Sequence, residues 1–184
     1  MFQLRIAIIL GFCIGSTAVQ AKDFTLMSPT IKSNATLTEE QVFNGFGCSG
    51  KNLSPALKWT VGPKGTQSYA VTVYDPDAPT GSGWWHWVVY DIPASVTELA
   101  AGAGSHASKL LPADATQGRT DFGSHEFGGA CPPKGDQPHR YIFTVHALKT
   151  EKIDVPADAS AALIGFIIHS NSLGAASFTA KYGR

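Results

Sequence analysis

The sequence predicts a mainly β protein whose strands pair antiparallel into a long central sheet, with one helix in its C-terminal region. Three observations predict it. Two apolar runs, residues 69–74 and 87–92, flank a stretch where Pro76, Pro79, Gly81 and Gly83 rule out helix and regular strand. The simplest connection across such a stretch is a hairpin. Nineteen glycines and eleven prolines in 184 residues, with only 15% charged residues, favour a loop-rich β fold over a helical bundle. Convincing helical spacing is confined to residues 157–170, where Leu163, Ile164, Ile167 and Ile168 recur. The length suits one domain with a sizeable core.

The first 21 residues read as a signal peptide that is removed. Arg5 gives a basic start, residues 6–14 an apolar core, and Val19, Gln20 and Ala21 a small-residue cleavage site before Lys22. The stretch is too short to span a bilayer. Bulky Phe12 before Cys13 does not suit lipoprotein processing. The expectation is an exported protein, periplasmic or secreted and without a membrane span, with residues 22–184 as its single domain. Cys48 and Cys131 are then the two cysteines left, in a compartment that permits disulfides. A Cys48–Cys131 bridge is expected ahead of two buried free thiols, and closing so long a loop would stabilise by roughly 2–5 kcal/mol.

Phe24, Thr25 and Leu26 alternate as a short strand, and residues 38–43 form a helical turn or simply lead into the next loop. Gly45, Gly47 and Gly50 fit a dinucleotide-binding spacing, and Gly45 with Gly50 and Lys51 nearly fits a phosphate loop. Asn52 stands where the phosphate loop needs Ser or Thr, and Pro55 prevents a following helix. The stretch therefore reads as a glycine-rich loop tied down by Cys48. Asn34 and Asn52 are glycosylation acceptors in form only.

Residues 94–118 are small, polar and loop-like, the kind of stretch that lies over a site or a sheet edge. Residues 119–129 continue as surface loop, Asp121, His125 and Glu126 included. After Pro138 the chain alternates as a strand, with Tyr141, Phe143 and Val145 on one face and Arg140, Ile142 and Thr144 on the other. His139 therefore points the same way as Tyr141. The helix over 157–170 follows Pro156 and has Asp158 and Ser160 as candidate caps. His169 reads as structural, near a helix end that favours a cation. Residues 176–182 alternate as a last strand.

The hairpin brings Asp75, closing its first strand, and His86, opening its second, to one end of the sheet. Trp84, Trp85 and Trp87 flank that histidine, and His139 repeats the order of loop, imidazole and apolar strand. Two imidazoles and the Tyr141 hydroxyl can donate hydrogen bonds to phosphate oxygens. Asp75 can fix a histidine tautomer or receive an ammonium group. Trp84 and Trp87, as the rim, can hold the organic part of a ligand or a cation. A lone histidine here would read as a satisfied structural residue, but two at matching positions point to ligand binding.

The run Asp75-Pro76-Asp77-Ala78-Pro79, His86, and Pro132-Pro133-Lys134-Gly135 followed by His139-Arg140-Tyr141 resemble the phosphatidylethanolamine-binding protein family, which includes the Raf kinase inhibitor proteins. Gly81 to Trp87 resembles its bacterial branch, and the likeness runs over roughly residues 24–182. The resemblance implies an antiparallel β-sandwich with a small anion pocket at one end of the sheet. It carries the pocket to Asp75, His86, His139 and Tyr141, with the backbone around Cys131 and Pro132 as its rim. Mammalian members have glycine where Cys131 stands. The sequence leaves the oligomeric state open, with a homodimer as the option that analogy with bacterial relatives offers.

A formal net charge of zero leaves no electrostatic footprint for nucleic acid or an anionic membrane surface. Two cysteines do not make a zinc site, and no His-Glu-x-x-His or Gly-x-Ser-x-Gly motif occurs, so neither metal nor cofactor nor catalysis is expected. The leading function is an exported binding protein for phosphate-bearing small molecules or lipid headgroups. The alternative is a secreted interaction factor that modulates a kinase, protease or host-cell partner through its tryptophan rim. An enzyme with Asp75 and His86 as orienter and base ranks last.

Overall fold

The computed structural model describes residues 23–184, and the expected signal peptide lies outside them. Two antiparallel sheets form. The smaller contains β1 (Leu26–Met27), β2 (Leu57–Trp59) and β5 (Glu98–Leu99) in the order β1-β2-β5. The larger is built from β3 (Ser68–Asp75), β4 (Trp84–Pro93), β6 (Thr116–Gln117), β7 (His139–Leu148) and β8 (Ser172–Tyr182), in the order β6-β4-β3-β7-β8. β3 and β4 are joined as the predicted hairpin, rich in the aromatic and β-branched residues that suit a pleated surface.

The large sheet buries both faces, which is why its central strands read as near-continuous apolar runs. Tyr69, Val71 and Val73 of β3, with Phe143 and Val145 of β7, pack against Leu26, Leu57, Trp59 and Leu99 of the small sheet. This is a β-sandwich core. On the opposite face Ala70, Val88, Tyr90 and Leu148 pack under α1 (Ala161–Asn171) through Ala161, Ile164 and Ile168. No helix of the described residues is long and apolar enough to cross a membrane.

The helix begins four residues later than the spacing predicts. Ser160 is the N-cap, in an extended conformation, with its hydroxyl accepting from the Leu163 N–H at 3.2 Å. The preceding residues, Asp158 among them, belong to a turn closed by the Ala159 N–H on the Pro156 carbonyl. β8 starts directly after the helix, at Ser172 rather than 176, and pairs with β7 from Leu148↔Ser172 to His139↔Tyr182. Residues 38–43 resolve into one turn that ends in a parallel bridge between Val42 and Ala130. The 94–118 stretch supplies β5 to one sheet and β6 to the edge of the other, with a short 3-10 turn at His106–Ser108 between them. It does lie along the sheet edges.

Candidate functional site

β3 is the middle strand of the large sheet, so its last residue has a neighbouring strand on each side. That residue is Asp75, and its carboxylate is buried. Oδ1 accepts the Asp77 N–H at 2.8 Å, which turns the chain into the loop. Oδ2 accepts from His139 Nδ1, also at 2.8 Å. An ionised carboxylate only accepts, so this contact places a proton on Nδ1. His139 Nε2 lies 3.4 Å from Asp136 Oδ2. The loop returns through Gly83 at φ +69, where a Cβ would run into the Tyr74 hydroxyl and the Asp75 carbonyl.

On the other side, β4 delivers His86 through a β-bulge. The register passes from Val73↔Trp87 to Tyr74↔Trp85, which leaves His86 as the extra residue. Bulges re-aim side chains in this way. Strict alternation would put His86 and Trp87 on opposite faces. Here Trp87 enters the core between the sheets while His86 lines the cavity beside it. His86 Nδ1 donates to the Gly128 carbonyl at 2.7 Å. Burial pushes this imidazole below the ordinary histidine value, against the opposing pull of the Gly128 carbonyl and of Asp75.

Tyr141, one pleat along β7 from His139, completes the floor. Its ring meets the His86 ring edge-on at 5.0 Å. The phenol oxygen is buried and has no hydrogen-bond partner among the described residues. Burial, with the negative charge of Asp75 adding to it, drives this hydroxyl far above the ordinary tyrosine value, so it stays a donor. An unpaired buried hydroxyl costs roughly 1–3 kcal/mol of desolvation.

These groups line a cavity of about 150 Å³. At about 10–15 Å³ per water centre, that is room for a phosphate with a short substituent. Phe122 forms one wall, edge-on to His86 at 5.3 Å and to Trp84 at 5.4 Å. Phe46 stacks on Phe122 at 5.8 Å and is 67% exposed at the mouth. Cys131 and Pro132 form the adjoining lip. The disulfide Cys48–Cys131, with Cα atoms 6.0 Å apart, ties this lip to the loop that carries Phe46. The Arg184 guanidinium joins the same two segments, donating to Pro132 O at 2.7 Å and Gly47 O at 2.9 Å.

The structure thus brings Asp75, His86, Cys131, Pro132, His139, Tyr141 and Trp84 to one cavity. One expectation is corrected, and the last-ranked pairing of Asp75 with His86 is not formed. Trp87 is not a rim residue: it is fully buried in the core, its indole N–H donating to Gln117 Oε1 at 2.7 Å. The bulge at His86 turns it inward. Asp75 does not orient His86, because its carboxylate is already bonded to His139. Trp85 faces away from the cavity, against Tyr74 and the helix.

Residues 119–129 are more than surface loop. They supply Phe122 to the wall and the Gly128 carbonyl to His86, and Asp121 Oδ2 accepts the Trp85 N–H at 2.8 Å. Sequence reasoning missed Phe46 and Phe122. The available signal was a large aromatic beside glycine in an otherwise polar loop, as in Gly45-Phe46-Gly47 and Phe122-Gly123. Among the described residues, no group of three or more His, Cys, Asp or Glu side chains is placed to hold a metal ion.

The family model for the phosphatidylethanolamine-binding protein matches residues 27–183. The UPF0098 protein YbcL of Escherichia coli K12 is 53% identical over 182 residues, which is 99% of this chain and 98% of that protein. The UPF0098 protein YbhB of the same organism is 52% identical over 157 residues, 85% of this chain and 98% of YbhB. The crystal structure of E. coli YbcL, described as a new member of the mammalian PEBP family, superposes with a TM-score of 0.86. At 55% identity it covers 89% of this chain and 99% of that one.

Proposed function

The chain belongs to the phosphatidylethanolamine-binding protein family, and on that premise we propose an exported binding protein whose pocket at the end of β3 takes phosphate-bearing small molecules or phospholipid headgroups. Export rests on the leader-like residues 1–21 and on the Cys48–Cys131 disulfide, which suits an oxidising compartment. One observation carries the binding reading: the buried Tyr141 hydroxyl has no partner among the described residues, and its ring stands beside His86 in the wall of a cavity sized for a phosphate. A ligand oxygen that reaches it through a small shift of that ring removes the cost of leaving the donor unpaired. Binding rather than catalysis fits the carboxylate, since both oxygens of Asp75 are taken by His139 and the loop backbone.

The test is a titration with phosphoethanolamine followed by histidine ring NMR, on the wild type and on Tyr141→Phe. The His86 and His139 signals should shift together and saturate. Tyr141→Phe removes a buried hydroxyl that bonds to nothing, so it should leave stability unchanged or slightly raised. It should weaken the ligand about ten- to a hundredfold, the range for one hydrogen bond to a charged group. No saturable shift, or equal affinity in the variant, sinks the reading.

A further inference from the structure

We propose that the pocket takes a phosphate monoester in its singly charged, protonated form, with the remaining P–OH proton shared with His86 Nε2. This rests on the anion-pocket reading above and specifies which ionisation state, and so which class of phosphate, the pocket accepts.

The argument starts from the His86 ring. With Nδ1 donating to the Gly128 carbonyl, the neutral ring carries its proton there and presents a lone pair at Nε2. No group among the described residues donates to Nε2, and it is not among the sealed polar atoms, so it opens on the cavity that His86 lines. Beside it the Tyr141 hydroxyl has no partner among the described residues and is sealed in the empty pocket, so a small shift of its ring on binding turns it to the ligand as a donor. The occupied floor is then one donor next to one acceptor. That pair matches a group bearing both an oxygen that accepts and a hydroxyl that donates, as in HO–P–O⁻. A fully ionised phosphate or a sulfate offers acceptors only, and would set its charge against the Nε2 lone pair.

The charges around His86 point the same way. From β3 it faces Asp75, and from β7 it faces Tyr141 and His139, the latter bonded to Asp75. From the loop before β7, Asp136 approaches His139. From the 119–129 loop come Asp121 and the carbonyls of Gly128 and Gly129. No lysine or arginine is among the described residues that line the cavity. The nearest guanidinium on β7, Arg140, is paired with Asp77. Fixed cations usually compensate a phosphate dianion; here that compensation must come from a proton. Burial, which keeps the His86 ring from holding a charge of its own, acts in the same direction.

The experiment is calorimetric titration of the whole protein between pH 5.5 and 8.5 with three probes: methyl phosphate, dimethyl phosphate and sulfate. The second ionisation of a phosphate monoester falls at about pH 6. Methyl phosphate should bind with nearly constant affinity below that value and weaken about tenfold per pH unit above it, with one proton taken up per dianion bound. Dimethyl phosphate, singly charged but without a P–OH, and sulfate should bind at least tenfold more weakly at pH 6. His86→Gln offers an amide N–H in place of the lone pair, so its pH slope should flatten. Should that variant not fold, the wild-type series still decides.

Affinity for methyl phosphate that is flat from pH 6 to 8, sulfate binding as tight as methyl phosphate at pH 7, or a slope that persists in a folded His86→Gln would each overturn the proton-sharing proposal while leaving the anion pocket in place. No saturable binding of any probe at any pH would overturn both.

Discussion

His86 and His139 flank Asp75 at the end of the same sheet. Each is buried, each lies near the start of its strand, and each uses Nδ1 as its anchor. The anchors differ. His139 donates to a carboxylate and has a second carboxylate, Asp136, beyond its other nitrogen. His86 donates to a peptide carbonyl and turns an unoccupied nitrogen to the cavity. A full negative charge fixes one ring, while only a backbone dipole fixes the other. The pocket therefore has a ring committed to the protein and a ring left to answer the ligand. That division of labour, rather than two equivalent imidazoles, is what the geometry offers a phosphate.

The largest test of this contrast is Asp75→Ala. It removes the partner of His139 and the acceptor of the Asp77 N–H while leaving the Gly128 anchor of His86 untouched. Breaking a buried pair by deleting one member costs about 3–5 kcal/mol, to be read in urea denaturation. In the folded fraction the His139 ring resonances should move far more than those of His86. Equal movement of both would mean that the rings form one network, and the contrast would fail.

A smaller effect isolates the His86 side. His86 is buried with its ionisation pushed below the ordinary 6.5, and His146 on β7, near Thr72 at 3.5 Å, is held down to about 4, chiefly by burial. Both rings resist protonation in the folded state more than in the unfolded chain, which takes up protons below about pH 6.5. The stability tied to them is complete above pH 6.5 and is lost as pH falls below it, for His146 until about 4. His146 contributes on the order of 3 kcal/mol of that loss. In His146→Gln the acid loss should shrink by this share, and what remains between pH 6.5 and 4 reports on His86. If His146→Gln abolished the loss entirely, His86 would already be charged in the folded protein, and the neutral-ring account would fall.

The same contrast separates what could be read from the sequence from what could not. β7 runs without a bulge from His139 to Ala147, so alternation alone put His139 and Tyr141 on the core face. On β4 the bulge at His86 breaks that arithmetic. Residues 84–92 are apolar for both faces, since the sheet is covered by a second sheet on one side and a helix on the other, so nothing in the pattern marks the extra residue. Trp87 looked like a rim residue for that reason.

The walls were still less visible. Phe46 and Phe122 come from loops placed by contacts distant in sequence. These include the Cys48–Cys131 bridge and the Asn52 amide, which bonds Phe127 O at 3.2 Å and the Gly129 N–H at 2.7 Å. β2, three residues long, is too short to show a period. The helix, by contrast, was legible, and only its start moved, to the serine able to cap it.

The smallest expected effect comes from the outermost charges on the His139 side. Asp77 accepts from the Arg140 backbone N–H and Nε through Oδ2, at 2.8 and 2.9 Å, and from Nη2 through Oδ1 at 2.7 Å. The Arg140 guanidinium holds the Asp77 carboxyl at about 2, below its ordinary 3.8. Stability linked to that shift is present above 3.8 and lost only as pH falls toward 2, outside the window where the histidines act. The pair is solvent-exposed, so salt screens it. Asp77→Asn should therefore lower stability at neutral pH and about 0.15 M salt by no more than about 1 kcal/mol, should converge on wild type as pH falls toward 2, and should barely move the His139 ring. A His139 displacement as large as that of Asp75→Ala would show that the committed ring depends on a two-carboxylate relay through the loop, and the boundary between the two sides of the pocket would have to be redrawn to include it.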